Sequence, residues 1–116
     1  MKIIETSRSL SVKEKFVMTM GNDMKKMSDH VGEVLDISAW CLYEDSNEDG
    51  KEMQILSIMT PEKEVLATNS ATFQRDFRRM VELFADGGEE LTQIAITGGT
   101  SKSGREFIPC TVVLDD

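Results

Sequence analysis

The sequence predicts a mainly β domain of the α+β class, with one long helix set among strands. Three observations carry this. Stretches rich in β-branched and aromatic residues recur along the 116 residues: "EVLDISAWCLYE" at 33–44, "KEMQILSIMT" at 51–60, "EVLAT" at 64–68, then 91–97 and "REFIPCTVVL" at 105–114. Only "NSATFQRDFRRMVELFADGG" has a clear helical period. Polar and glycine-bearing turns separate the strands.

Each element follows from local chemistry. In the helix, Asn69 or Ser70 serves as N-cap, and Phe73, Phe77, Met80, Val81 and Phe84 supply the buried face. Gly87 and Gly88 stop it. "EDSNEDGKE" at 44–52 is an acidic turn that makes 33–44 and 51–60 a hairpin. Residues 11–20 read two ways. Ser11 and Glu14 form a capping box, with Val12, Phe16 and Met20 at helical spacing; Val12, Phe16, Met18 and Met20 would also share one face of a strand. Three strands, a helix and two strands is the element order of an OB-fold-like five-stranded barrel, with the helix between strands 3 and 4. The length suits a single domain over 1–116, in which 1–30 is a short N-terminal extension.

Composition narrows the function classes. No long apolar run or signal-peptide pattern occurs, and Cys41 and Cys110 show no metal spacing. A reduced, cytoplasmic setting is expected, with both cysteines as small core residues. With His30 the one histidine, neither a nucleophile–base pair nor a metal cluster is readable, so no enzyme, cofactor or metal is expected. Asp45, Asn47, Asp49 and Gly50 match the start of a calcium loop, but its twelfth position is Leu56 rather than Glu. The net charge is −8, which taken alone argues against nucleic acid. The acids are segregated, however, in 44–52, 86–90 and 115–116. Basic clusters remain at Lys25–Lys26, at Arg75, Arg78 and Arg79, and at Lys102 and Arg105. The helix arginines read as a solvated face, paired with Asp76 and Glu82. The acidic turn is expected to lie away from any binding face.

The stretch "ITGGTSKSGREF" at 96–107 has two glycines at P-loop spacing, Gly99 and Gly104, but Arg105 and Glu106 follow where Lys and Ser or Thr are needed. Strand composition follows it rather than a helix, so the stretch reads as a loop between two strands, with Lys102 and Arg105 available to a phosphate backbone. Alternation along 33–44 puts Leu35, Ile37, Ala39, Cys41 and Tyr43 on a core face and Trp40 on the polar face. Alternation along 105–114 turns Phe107 outward beside Arg105. Outward aromatics beside a basic loop suit single-stranded nucleic acid, whose bases stack while cations track the phosphates. The plainer alternative packs Trp40 and Phe107 under the N-terminal segment. Tyr43 lies near the strand end, within reach of the surface.

Residues 32–114 resemble the single-stranded-DNA-binding proteins encoded by phages and mobile elements of Gram-positive bacteria, most specifically in "TNSATF" and "GTSKSGREF". The resemblance implies a small OB-like barrel that coats single-stranded DNA during replication in a bacterial host cell, without enzymatic activity. It leaves room for replication proteins as further partners and involves no membrane. It places Thr100, Ser101, Lys102, Gly104 and Arg105 on the family's loop motif, and Trp40 and Tyr43 on its aromatic strand. Two other readings stay open: an acidic inhibitor or DNA mimic that binds a host protein, supported by the acids at 44–52, and an RNA-binding regulator.

Overall fold

The computed structural model describes residues 1–46, 49–100, 106–107 and 109–113. Strand β1 (Lys2–Thr6) is followed by helix α1 (Val12–Thr19), a short strand β2 (Lys25–Lys26) and a 3-10 turn (Met27–His30). Then come β3 (Val34–Asp36), β4 (Ala39–Ser46), β5 (Glu52–Met59), β6 (Val65–Thr68) and helix α2 (Ala71–Asp86). The chain ends in β7 (Gln93–Ile96), β8 (Gly99–Thr100), β9 (Glu106–Phe107) and β10 (Cys110–Val112). The α+β class is as expected. Strands β1-β4-β5-β6-β2 form one sheet, β10-β7-β3 a second, and β8 pairs with β9 as a separate hairpin. Among the described residues, no ladder joins the two larger sheets into the closed barrel that the element order suggested.

The expected strand at 33–44 is two strands. At Ile37 and Ser38 the backbone changes sheets: Ile37 N–H donates to Thr92 O at 2.8 Å, and Ser38 N–H donates to Met59 O at 2.8 Å. The side-chain alternation does not carry across this break. Leu35 joins Trp40 and Leu42 in one core cluster, whereas Ala39, Cys41 and Tyr43 join Met18 and Met59 in another. Both faces of β4 are therefore covered, and Ala39 through Tyr43 are all buried. This corrects the assignment of Trp40 to a polar, outward face.

Helix α2 covers the Trp40 face. Its buried side is Phe73 and Phe77, with Met80, Val81 and Phe84 packed against the same cluster. The Trp40 and Phe77 rings meet edge-to-face at 5.6 Å, and Phe73 stacks on Phe77 at 6.4 Å. Ser70 Oγ caps the helix by accepting from Phe73 N–H. At the other end Glu89 N–H donates to Phe84 O and Gly88 N–H to Ala85 O, a Schellman closure that uses the left-handed φ of +76° at Gly88. The buried Gln74 side chain joins the helix to the sheet. Its Nε2 donates to Gln54 O at 2.9 Å and Thr68 O at 3.1 Å, and its Oε1 accepts from Gln54 Nε2 at 2.9 Å.

Residues 12–19 are a helix, which settles the ambiguity of 11–20. The capping box forms in both directions, Glu14 N–H to Ser11 Oγ and Ser11 N–H to Glu14 Oε1. Arg8 holds the same carboxylate at 2.9 Å. Its guanidinium, followed by the Ser11 N–H, draws Glu14 down to about 2. Gly21 ends the turn, since a Cβ there would lie 2.7 Å from Val17 O. The N-terminal extension also supplies β1, which pairs antiparallel with β4 and which no sequence signal had marked. Among the described residues, no helix is long and apolar enough to cross a membrane.

Two predictions follow from the packing. Ser70→Ala should cost about 1 kcal/mol in chemical denaturation, by removing the α2 cap. The second concerns alkali. Burial pushes Tyr43 and Cys110 each up to about 12. Unfolded Tyr and Cys release their protons nearer about 10 and about 8.5. Over that interval the unfolded chain binds fewer protons than the folded one. Stability is thus fully present below about 8.5 and should fall as pH climbs towards about 12. Denaturation midpoints measured from neutral to alkaline pH should show this decline, and Tyr43→Phe should reduce it.

Candidate nucleic-acid interface

Trp40 and Tyr43, two of the aromatics expected to stack on bases, are not open to solvent, and the side chain of Phe107, the third, lies outside the described residues. Trp40 is 7 % exposed and Tyr43 is 1 % exposed. Trp40 lies under α2, against Phe77, in the cluster that also holds Met27 of the N-terminal segment. Tyr43 lies in the cluster on the α1 side. The backbone of Thr100 and Phe107 is placed on the β8–β9 hairpin, where Gly99 pairs with Phe107 and Thr100 with Glu106. Ser101, Lys102, Gly104 and Arg105 lie outside the described residues. The root of this arm is anchored. Thr97 N–H and Oγ1 both donate to Pro109 O at 3.0 Å, and Cys110 Sγ lies 3.7 Å from Phe73 O in the first turns of α2.

A basic groove exists elsewhere, along the solvent side of α2. Arg75, Arg78 and Arg79 line it from the helix, Lys51 from the start of the β5 arm, and Glu82 is the one carboxylate among its lining residues. This recess has a volume of about 760 Å³. A second recess of about 750 Å³ shares Met53, Asn69 and Ala71 with it and is continued by Lys26, Ser28, Ile55 and Thr72. The combined groove carries five cations and one carboxylate, in a chain of net charge −8. Met53, Ile55, Ala67 and Ala71 give it apolar ground between the cations.

The arginines are weakly engaged. Arg75 Nη2 stands 3.5 Å from Asp76 Oδ1, and Arg78 Nη2 stands 3.9 Å from Glu5 Oε1. Arg79 has no ion pair among the described residues. The expected pairing with Asp76 thus holds for Arg75 alone, and the partner of Arg78 comes from β1. All three arginines are exposed, so screening leaves such contacts worth little. Their charge is available to a ligand.

Sequence reading found the three arginines and Lys25–Lys26 but not their meeting. Residues 26, 51 and 75–79 come together only through the β5–β6–β2 order and the seat of α2 across it. Gln74, half of the groove's rigid floor, carried no sequence signal beyond its place on the helix. The acidic turn was expected to be remote, yet Lys51 brings its descending arm to the groove's end. His30 bonds Glu33 at 2.7 Å. Among the described residues, no group of His, Cys, Asp and Glu could hold a metal ion.

Comparison with protein-family models, with curated proteins and with solved structures finds no match to this chain.

Burial of Trp40 yields a direct test. Its emission should be blue-shifted and poorly quenched by acrylamide in the native protein, and Trp40→Ala should destabilise the fold by about 3–5 kcal/mol. Saturation with an oligonucleotide should leave that emission nearly unchanged. Strong quenching on binding would show a base reaching the ring.

Proposed function

We propose that the chain is a sequence-independent single-stranded-DNA-binding protein, non-enzymatic, acting in phage or mobile-element replication. The observation that carries the proposal is the groove lined by five cations, Lys26, Lys51, Arg75, Arg78 and Arg79, with Glu82 the one carboxylate among its lining residues. Phosphates would lie along the guanidinium groups, which present planar forks of donors suited to phosphate oxygens. Sugars and bases would rest on Met53, Ile55 and Ala71. These apolar contacts read no base edge, so the binding would tolerate any sequence.

The resemblance of "TNSATF" and "GTSKSGREF" to phage single-strand binders supports the same reading. Asn69, Ser70, Ala71 and Thr72 of the first motif line the groove. We retain an OB-like arrangement within the proposal because β4, β5 and β6 form an antiparallel meander and α2 separates it in sequence from β7.

Fluorescence anisotropy with labelled oligo-dT at several salt concentrations tests the reading. Binding should weaken as salt rises, with a slope of about −0.7 in log K against log salt for each phosphate contact. The triple variant Arg75→Ala, Arg78→Ala, Arg79→Ala should lose affinity for oligo-dT and oligo-dA alike. Its slope should be flatter by about 2 if each arginine meets one phosphate. Absence of binding at every salt concentration would sink the proposal and leave the acidic-inhibitor reading. Tighter binding of oligo-rU than of oligo-dT would turn it towards RNA.

A further inference from the structure

Helix α1 turns its apolar side to solvent. Val12, Phe16 and Met20 are 82 %, 55 % and 55 % exposed, and their four-residue spacing puts them on one side of the helix. The residues it buries are Met18 and Thr19. An amphipathic surface helix normally does the reverse. Phe16 is also the most exposed aromatic side chain among those described. With Val17, Asn22 and Val65 it borders a cleft of about 380 Å³.

Lysines and carboxylates both border this face: the cleft is lined by Lys25 and Lys63 and by Asp23 and Glu64. Lys13, Lys15, Lys25 and Lys63 are all exposed. Of the acids nearby, Glu64 is held by Lys25 at 3.0 Å, Glu14 is held by Arg8, and Asp23 stands on the cleft wall. The face also connects to the groove beside α2. Lys25 lines the cleft at Phe16, and Lys26, the next residue of β2, lines the groove. Neighbouring strand residues project to opposite sides, and β2 is an edge strand of its sheet. The two recesses therefore meet around a free sheet edge.

We propose that a single strand leaving the α2 groove wraps this edge over Lys26 and Lys25 and stacks a base on Phe16. The inference rests on the single-strand reading above and adds a second segment to its path. An exposed phenyl face bordered by lysines matches a base and its flanking phosphates. A duplex keeps its bases stacked on one another and offers none to the ring.

The test uses the full chain and oligo-dT from about 4 to about 16 nucleotides, the range of site sizes for one such domain. Phe16→Leu keeps apolar bulk and removes the ring face. The shortest oligonucleotide should bind wild type and variant equally, through the groove. The longer ones should gain affinity with wild type and fail to gain it with Phe16→Leu, a loss of about 5- to 150-fold. In Phe16→Trp, the emission of the new indole should fall when a long oligonucleotide binds and hold when a short one does. Wild-type affinity of Phe16→Leu at every length, with short oligonucleotides still bound, would overturn the wrapping path and leave the groove intact. Failure of every length to bind wild type would instead remove the single-strand reading itself. A change in sedimentation of Phe16→Leu without DNA, with its DNA affinity unaltered, would make the α1 face a protein interface and overturn the proposal.

Discussion

The structure depends on a central strand pair that is buried on both faces. β4 and β5 pair through eight consecutive partners, from Ala39 opposite Met59 to Ser46 opposite Glu52. One face of this ribbon packs against α2 and the smaller sheet, the other against Met18 of α1 and the flanking Leu10 and Met24. A strand covered twice consumes large apolar residues from both of its alternating sets. Trp40 and Leu42 go to one side, Cys41 and Tyr43 to the other. Two aromatics that the sequence offered to bases, Trp40 and Tyr43, are thereby spent on the core. Among the described residues, the outer sides of the two covering helices supply the arginines of the groove and the exposed Phe16.

The helices differ in what they leave outside. α2 has five apolar positions for its inner side and presents arginines outward. α1 is only eight residues long and anchors itself mainly through Met18 and the Ser11–Glu14–Arg8 cluster at its start. Its first turn is fixed by charge-assisted hydrogen bonds, so its apolar side chains are not needed to hold it down. The acids of the chain meanwhile collect in turns, where water solvates them. Coulomb repulsion between these turns and a polyanion is damped beyond about 8 Å at physiological salt. A negative chain can therefore carry a local positive track.

Much of the fold was legible because it is written locally. The α2 period, its Ser70 cap and its double-glycine stop each lie within a few residues, and all three are seen. The β5 and β6 strands differ from their sequence ranges by a residue or so at the ends. What failed was non-local. Alternation assumes an unbroken strand, and the change of sheets at Ile37–Ser38 moved Leu35 onto the same side as Trp40. Strand β1 is polar on most of its positions and becomes a strand because β4 offers a free edge. The groove shows the same limit. Each cationic cluster is visible in the sequence, but three arginines on a helix look like any solvated face until Lys26 and Lys51 arrive beside them.

The groove is stiffer than a surface of long side chains suggests, and Gln74 is the reason. It is 4 % exposed, lines the groove floor and bonds both β5 and β6. A buried amide must satisfy its donors and acceptor or incur a desolvation cost of about 1–3 kcal/mol. Here both Nε2 donations and the Oε1 acceptance are met by Gln54 and Thr68. The turn of α2 that carries Arg75 and Arg78 is thus fixed relative to β5, which carries Met53 and begins just after Lys51. Cations on a fixed frame lose less backbone freedom when a ligand arrives than cations on a loop. The same hydrogen bonds that close the core over Phe73 and Phe77 therefore set the spacing of the charges outside it.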